Sequence, residues 1–191
     1  ATPHGPYDGV LLSAGVLAGA TQSYNFRLDL RVVYQALCNN HPAPSEPQYP
    51  LWMGLPDNAK LTRAELNARV SECLGVDKPA AQRTPVQASN LKTIVDVIRI
   101  PESSVAGHLS WATWHFQNII KTRTGGLNPF ANDLVQYRGS SDDVALNRRV
   151  LRYSADPRGV ARLAEDADLT GRIPVPVLTV HGTQDATAFV E

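Results

Sequence analysis

Pro174-Val-Pro-Val-Leu-Thr-Val-His-Gly-Thr-Gln-Asp185 is the stretch on which the reading of this chain turns. A short Val- and Leu-rich run, opened by prolines and closed by His-Gly, predicts a buried parallel strand. Both prolines stand at its start, where a missing N–H does least harm to a ladder. The turn after it delivers an acid, Asp185, just past the strand's carboxyl end, the edge of an open α/β sheet where ligands bind.

A second strand is predicted at Tyr7-Asp-Gly-Val-Leu-Leu-Ser-Ala-Gly15, whose continuously apolar centre suits a strand covered on both faces. Far more chain separates the two strands than the dozen or so residues a parallel crossover needs. The surplus is too periodic for disorder and too long for a loop, so it reads as an inserted, mostly helical domain. Residues 24–37 place Leu30, Val33, Tyr34 and Leu37 at helical spacing, with Arg27, Asp29 and Arg31 on the opposite, polar face. Four prolines in the stretch His41 through Pro50 predict an extended connection.

Thr62 to Glu65 has the form of a capping box opening a helix through Leu66, Val70, Cys73 and Leu74, which stops at Gly75. Thr84-Pro85 opens the next, with Leu91, Ile94, Val95 and Ile98 as its apolar stripe. A longer helix runs from Ser103 or Ser104 through Trp111, Trp114, Phe116 and Ile120 to Gly125-Gly126. Two more helices are predicted, at 142–153 and at 157–166, the latter capped by Asp156 with Pro157 in first position.

The two strand segments, 7–19 and 174–190, resemble consecutive core strands of the serine α/β-hydrolases, and the turn after the second is where that family carries the acid of its Ser…Asp…His triad. The resemblance implies the α/β class: a partial α/β-hydrolase core of two parallel strands (1–20 and 171–191) with a large helical cap inserted over 21–170. It gives Asp185 the role of the acid that fixes the tautomer of a histidine and offsets its charge as a serine attacks. The implied substrate is a small-molecule carboxylic ester, and the chemistry needs no cofactor and no metal. No Gly-x-Ser-x-Gly occurs and only six residues follow Asp185, so the nucleophile and base are expected outside these residues. The chain then reads as a fragment, completed by the remainder of the hydrolase core from the same gene or a second chain. The alternative is a non-catalytic helical interaction module that keeps remnants of such a core.

His108, Trp111 and His115 fall at i, i+3 and i+7, on one helical face, which could either line a substrate pocket or pack the cap's own core. Ser13 lacks the sharp glycine turn of a nucleophile, His181 reads as structural, and the stripe of Arg148, Arg149 and Arg152 reads as a solvated face. Cys38 and Cys73 form either a disulfide, implying a secreted or periplasmic protein, or two buried thiols. Eighteen basic and eighteen acidic residues leave no net field for nucleic acid, and the longest apolar run is too short to span a bilayer.

Overall fold

The computed structural model describes residues 7–14, 20–168 and 170–182. Among the described residues six α-helices carry the structure: α1 (Ala20–Cys38), α2 (Arg63–Leu74), α3 (Pro85–Ile98), α4 (Val105–Thr122), α5 (Asp143–Arg149) and α6 (Pro157–Ala167). Two four-residue strands, β1 (Val10–Ser13) and β2 (Val177–Val180), form one parallel pair, with Val10 opposite Val177 and Ser13 opposite Val180. Helix at 52% against strand at 5% makes this a helical body with a two-stranded ribbon, and the α/β fold class is overturned. The strands are also not covered: Leu11 and Leu178 are each 65% exposed, and every residue of β2 is exposed. An apolar run says that a segment avoids water; it does not say that the same chain supplies the cover.

Local signals place most helix ends. Thr62 and Glu65 form a reciprocal capping box at the start of α2, and Thr84 and Gln87 form another at α3, with Pro85 in its first turn. Gly75 closes α2 in the left-handed conformation, and the Asp156 side chain caps α6. The proline-rich connection after α1 is irregular, with a cis His41–Pro42 bond.

Two helix ends differ clearly from the sequence reading: α1 starts at Ala20, four residues before the expected 24, and α5 ends early. α5 stops at Arg149 instead of continuing to 153, because the chain beyond it is claimed by tertiary hydrogen bonds. Asn132 accepts from the Tyr153 amide at 2.7 Å and donates to the Leu151 carbonyl at 2.8 Å, and Arg152 donates to the Asn132 carbonyl at 2.9 Å. Helix propensity is a weaker term than these three bonds in a partly buried site. Arg152 therefore leaves the basic stripe it was assigned to.

α1 is the central helix and packs against α3, α4, α5 and α6. Its supposed polar face is internal as well: Arg31 is fully buried and Arg27 is 3% exposed. Arg31 donates through Nη1 to the Ala112 carbonyl of α4 at 2.9 Å, and through Nη2 to the Gly54 carbonyl at 2.7 Å and the Tyr49 hydroxyl at 3.3 Å. Gly54 lies directly on α4 with φ 78°; a Cβ there would sit 2.3 Å from both the Thr113 carbonyl oxygen and the Gln117 nitrogen. Cys38 at the end of α1 and Cys73 in α2 are joined by a disulfide, with Cα atoms 5.7 Å apart. The apolar core gathers around these ties: Leu28, Val32, Tyr34, Leu66, Leu74, Ile94, Leu109 and Phe116 are all inaccessible.

Two stability outcomes follow. Gly54→Ala combines a left-handed strain with backbone overlap and should cost more than about 3 kcal/mol in denaturant unfolding. Removing the disulfide, which closes a 35-residue separation, should cost about 3–4 kcal/mol, read as a drop in denaturant midpoint for Cys38→Ser/Cys73→Ser.

Candidate functional site

Asp185, the predicted triad acid, lies outside the described residues. The helix expected to carry a functional face is α4, and there the structure joins its residues to α1. Trp111 stacks on the His115 imidazole at 4.5 Å with the rings nearly parallel, and on Tyr24 of α1 at 5.1 Å. His108 is buried, edge-on to Phe26 at 5.1 Å, so it belongs to the packing between α1 and α4. His115 is exposed. The predicted face thus splits: its first residue is core, and the other two form the outer part of a Tyr–Trp–His stack.

Arg27, which sequence periodicity had assigned to solvent, completes that stack. Its guanidinium lies 4.5 Å over the Trp111 ring and 4.4 Å over Phe26, and it donates to the Ser23 hydroxyl at 2.8 Å. No carboxylate of the described residues pairs with it, and burial lowers its pKa to about 10. Burial, together with the Arg63 and Arg27 charges, also lowers the His115 pKa, which keeps its imidazole neutral at pH 7. None of the described acids orients His115 as a triad base would require. What the stack offers is an aromatic wall with one neutral imidazole edge at the surface.

The stack stands near the place where the chain enters and leaves the helical body. The Thr21 amide and hydroxyl at the start of α1 donate to the two oxygens of Asp168, at 3.2 and 2.9 Å, across a separation of 147 residues. This clamp holds the two chain crossings together, with a carboxylate favourably set at a helix N-terminus. Beyond it lie the ribbon's hydrogen bonds, Val10 N to the Pro176 carbonyl and Ala14 N to the Val180 carbonyl, both 2.9 Å.

A separate pocket of about 270 Å³ lies where the end of α3 meets residues 135–138 and α1. Asp29, another residue read as solvent-facing, lines it. The buried Tyr137 hydroxyl donates to Asp29 Oδ1 at 2.6 Å and accepts from Asn132 at 3.0 Å. Burial raises the Asp29 pKa to about 6, against the Tyr137 bond and the Arg152 charge, which lower it. A charged residue at a/d-like spacing next to Leu28 and Leu30 was the available clue: a helix apolar on one side and packed on all sides must bury whatever else it carries.

Among the described residues no group of three His, Cys, Asp or Glu side chains gathers to hold a metal ion, and no helix is long and apolar enough to cross a membrane. Compared with protein-family models, curated proteins and solved structures, the chain finds no match.

The two buried titrating groups give the stability a definite pH profile. His41 donates from Nε2 to Thr113, whose own hydroxyl donates to the Leu109 carbonyl; its Nδ1 is buried without a partner. Burial first, then the Arg31 and Arg69 charges, lower its pKa from 6.5 to about 2. The unfolded chain takes up that proton below pH 6.5 and the folded chain does not, so stability falls on acidification by about 1.4 kcal/mol per pH unit. Asp29 acts oppositely: the folded protein keeps its proton up to about pH 6, whereas the unfolded chain loses it near 3.8. Between pH 6 and 4 the two slopes offset. Asp29→Asn should therefore be steeper across that window by about 1.4 kcal/mol per unit, as read by urea unfolding at pH 6, 5 and 4.

Proposed function

We propose that this chain is part of a serine hydrolase acting on carboxylic esters, supplying the acid Asp185 and a helical lid to a Ser-His-Asp triad. The serine and histidine come from sequence outside these residues, in the same polypeptide or in a partner chain. The observation that carries the reading is the ribbon. Two strands at opposite ends of the chain pair in parallel and in register, yet present Leu11, Leu178 and Val180 to water. A two-stranded ribbon is not stable alone, and bare apolar strands invite further pairing. The reading supplies the missing strands from the rest of the hydrolase, and it sets Asp185 five residues past the end of β2.

In the proposed chemistry the serine oxygen attacks the ester carbonyl while a histidine takes its proton. Asp185 holds that histidine in the needed tautomer and offsets the imidazolium charge. The Tyr24–Trp111–His115 stack, close to the neck of the helical body, serves as one wall for the acyl or alcohol part of the substrate. The Cys38–Cys73 disulfide supports an oxidising compartment, and the proposal therefore places the protein in the periplasm or outside the cell.

The test uses the completed protein. Asp185→Asn should fold normally, bind ester and turn over on the order of 10⁴-fold more slowly. Trp111→Ala should change the ranking of ester substrates more than it lowers the thermal midpoint. The 191-residue chain by itself should hydrolyse nothing. Near-normal turnover in Asp185→Asn would remove the acid assignment and leave a non-catalytic interaction module as the better account.

A further inference from the structure

We propose that the pocket walled by Phe26, Asp29, Val97, Arg99, Val135 and Arg138 binds a zwitterionic α-amino acid with an apolar side chain. This pocket stands apart from the hydrolase reading, and it brings one acid and two arginines to a single cavity. Among the described residues Asp29 accepts one hydrogen bond, from Tyr137 to Oδ1, and forms no close ion pair, the Arg152 charge acting on it from further off. Its second oxygen takes no hydrogen bond from the described residues. Arg99 and Arg138 line the same pocket and are exposed, and neither bonds Asp29; the Arg138 charge also acts on Asp143, whose pKa it helps to lower. A molecule carrying both an ammonium and a carboxylate would meet both signs of charge in this one pocket.

The backbone fixes the lining of this pocket. Arg99 caps α3 in the left-handed conformation, φ 61°, a position that favours glycine, so its side chain starts from a fixed and unusual direction. Gly139, φ 109°, presses against the end of α3; a Cβ there would come within 3.0 Å of the Asp96 carbonyl oxygen. That close approach sets the segment bearing Arg138 at a fixed distance from the one bearing Arg99. Asp29 is oriented in turn by the chain of bonds from Asn132 through Tyr137.

Size and lining choose among zwitterions. A volume of about 270 Å³ falls just under the usual range for drug-sized ligands, which suits a single small metabolite. Phe26, Val97 and Val135 offer apolar walls for a branched side chain. The ammonium donates to Asp29 Oδ2, the carboxylate accepts from Arg99 and Arg138, and the side chain lies against the valines.

The experiment is isothermal titration calorimetry of the full chain at pH 7.5 with L-leucine as probe, beside three half-matched molecules. N-acetyl-L-leucine lacks the ammonium, L-leucinamide lacks the carboxylate, and 2-hydroxy-4-methylpentanoate replaces the ammonium with a hydroxyl. The expected result is saturable one-to-one binding of leucine, with each of the others weaker by at least about tenfold. Asp29→Asn, and separately Arg99→Ala/Arg138→Ala at exposed positions, should each weaken leucine by the same factor while the circular dichroism stays unchanged. No saturable heat from leucine up to about 10 mM would overturn the proposal. So would equal affinity for N-acetyl-leucine, or leucine binding that survives in the arginine double variant.

Discussion

A guanidinium with no carboxylate, fully buried at the middle of α1, sets the terms for the rest of this structure. Taking Arg31 out of water costs several kcal/mol. The compensation available is three hydrogen bonds, to the carbonyls of Ala112 and Gly54 and the hydroxyl of Tyr49. One acceptor lies on α4 and two lie in the connection between α1 and α2, so satisfying the charge fixes α1 against α4 and both against that connection. Gly54 must lie flat on α4 for its carbonyl to be reached, which is why no side chain fits there. The unneutralised charge then acts on its neighbours. It helps hold the nearby His41 neutral, and burial lowers the pKa of Arg31 itself.

Spacing along α1 shows how one helix serves several surfaces. Tyr24, Arg27 and Arg31 recur at i, i+3 and i+7 and face α4, where Trp111 and the Ala112 carbonyl receive them. Phe26 and Asp29, three apart on another side, face the end of α3 and the segment around Tyr137. Leu28, Leu30, Val32 and Val33 fill the positions between them and are inaccessible. A helix packed on every side has no solvent face on which to discharge its polar residues. Each one must find hydrogen-bond partners inside, and burial still shifts its pKa, as it does for Asp29 and Arg31.

This is also where the sequence was and was not legible. Thr62, Glu65, Gly75, Thr84, Pro85 and Asp156 act within one turn of helix, so their types and spacing alone announce the helix ends they make. The end of α5 was not announced, because Asn132 and Arg152 decide it from outside the helix. Arg27, Asp29 and Arg31 were assigned to water by a rule that assumes one buried face per helix, and α1 has more than one. The strands were legible as strands, down to their parallel sense, but not as exposed ones. Apolar content carries no information about which chain does the covering. In the candidate site, Trp111 and His115 could be nominated from their shared face, whereas Tyr24 and Arg27 reach them only through the crossing of α1 and α4.

The distribution of buried surface separates what holds the molecule together from what it offers to others. The helical body has an inaccessible core, a disulfide between α1 and α2, and the Thr21–Asp168 clamp across its neck. Each of these closes on residues within 20–168. The ribbon has none of them: its two strands bond only each other in the sheet, and their apolar side chains meet water. A pair of four-residue strands cannot supply the free energy that orders it, so its geometry is inherited from the body through the neck. The clamp brings the strand-bearing ends of the chain together, and parallel pairing follows from that proximity at little further entropic cost. The body therefore presents a template edge whose register is already chosen, and whatever strand pairs with it meets a prepared partner.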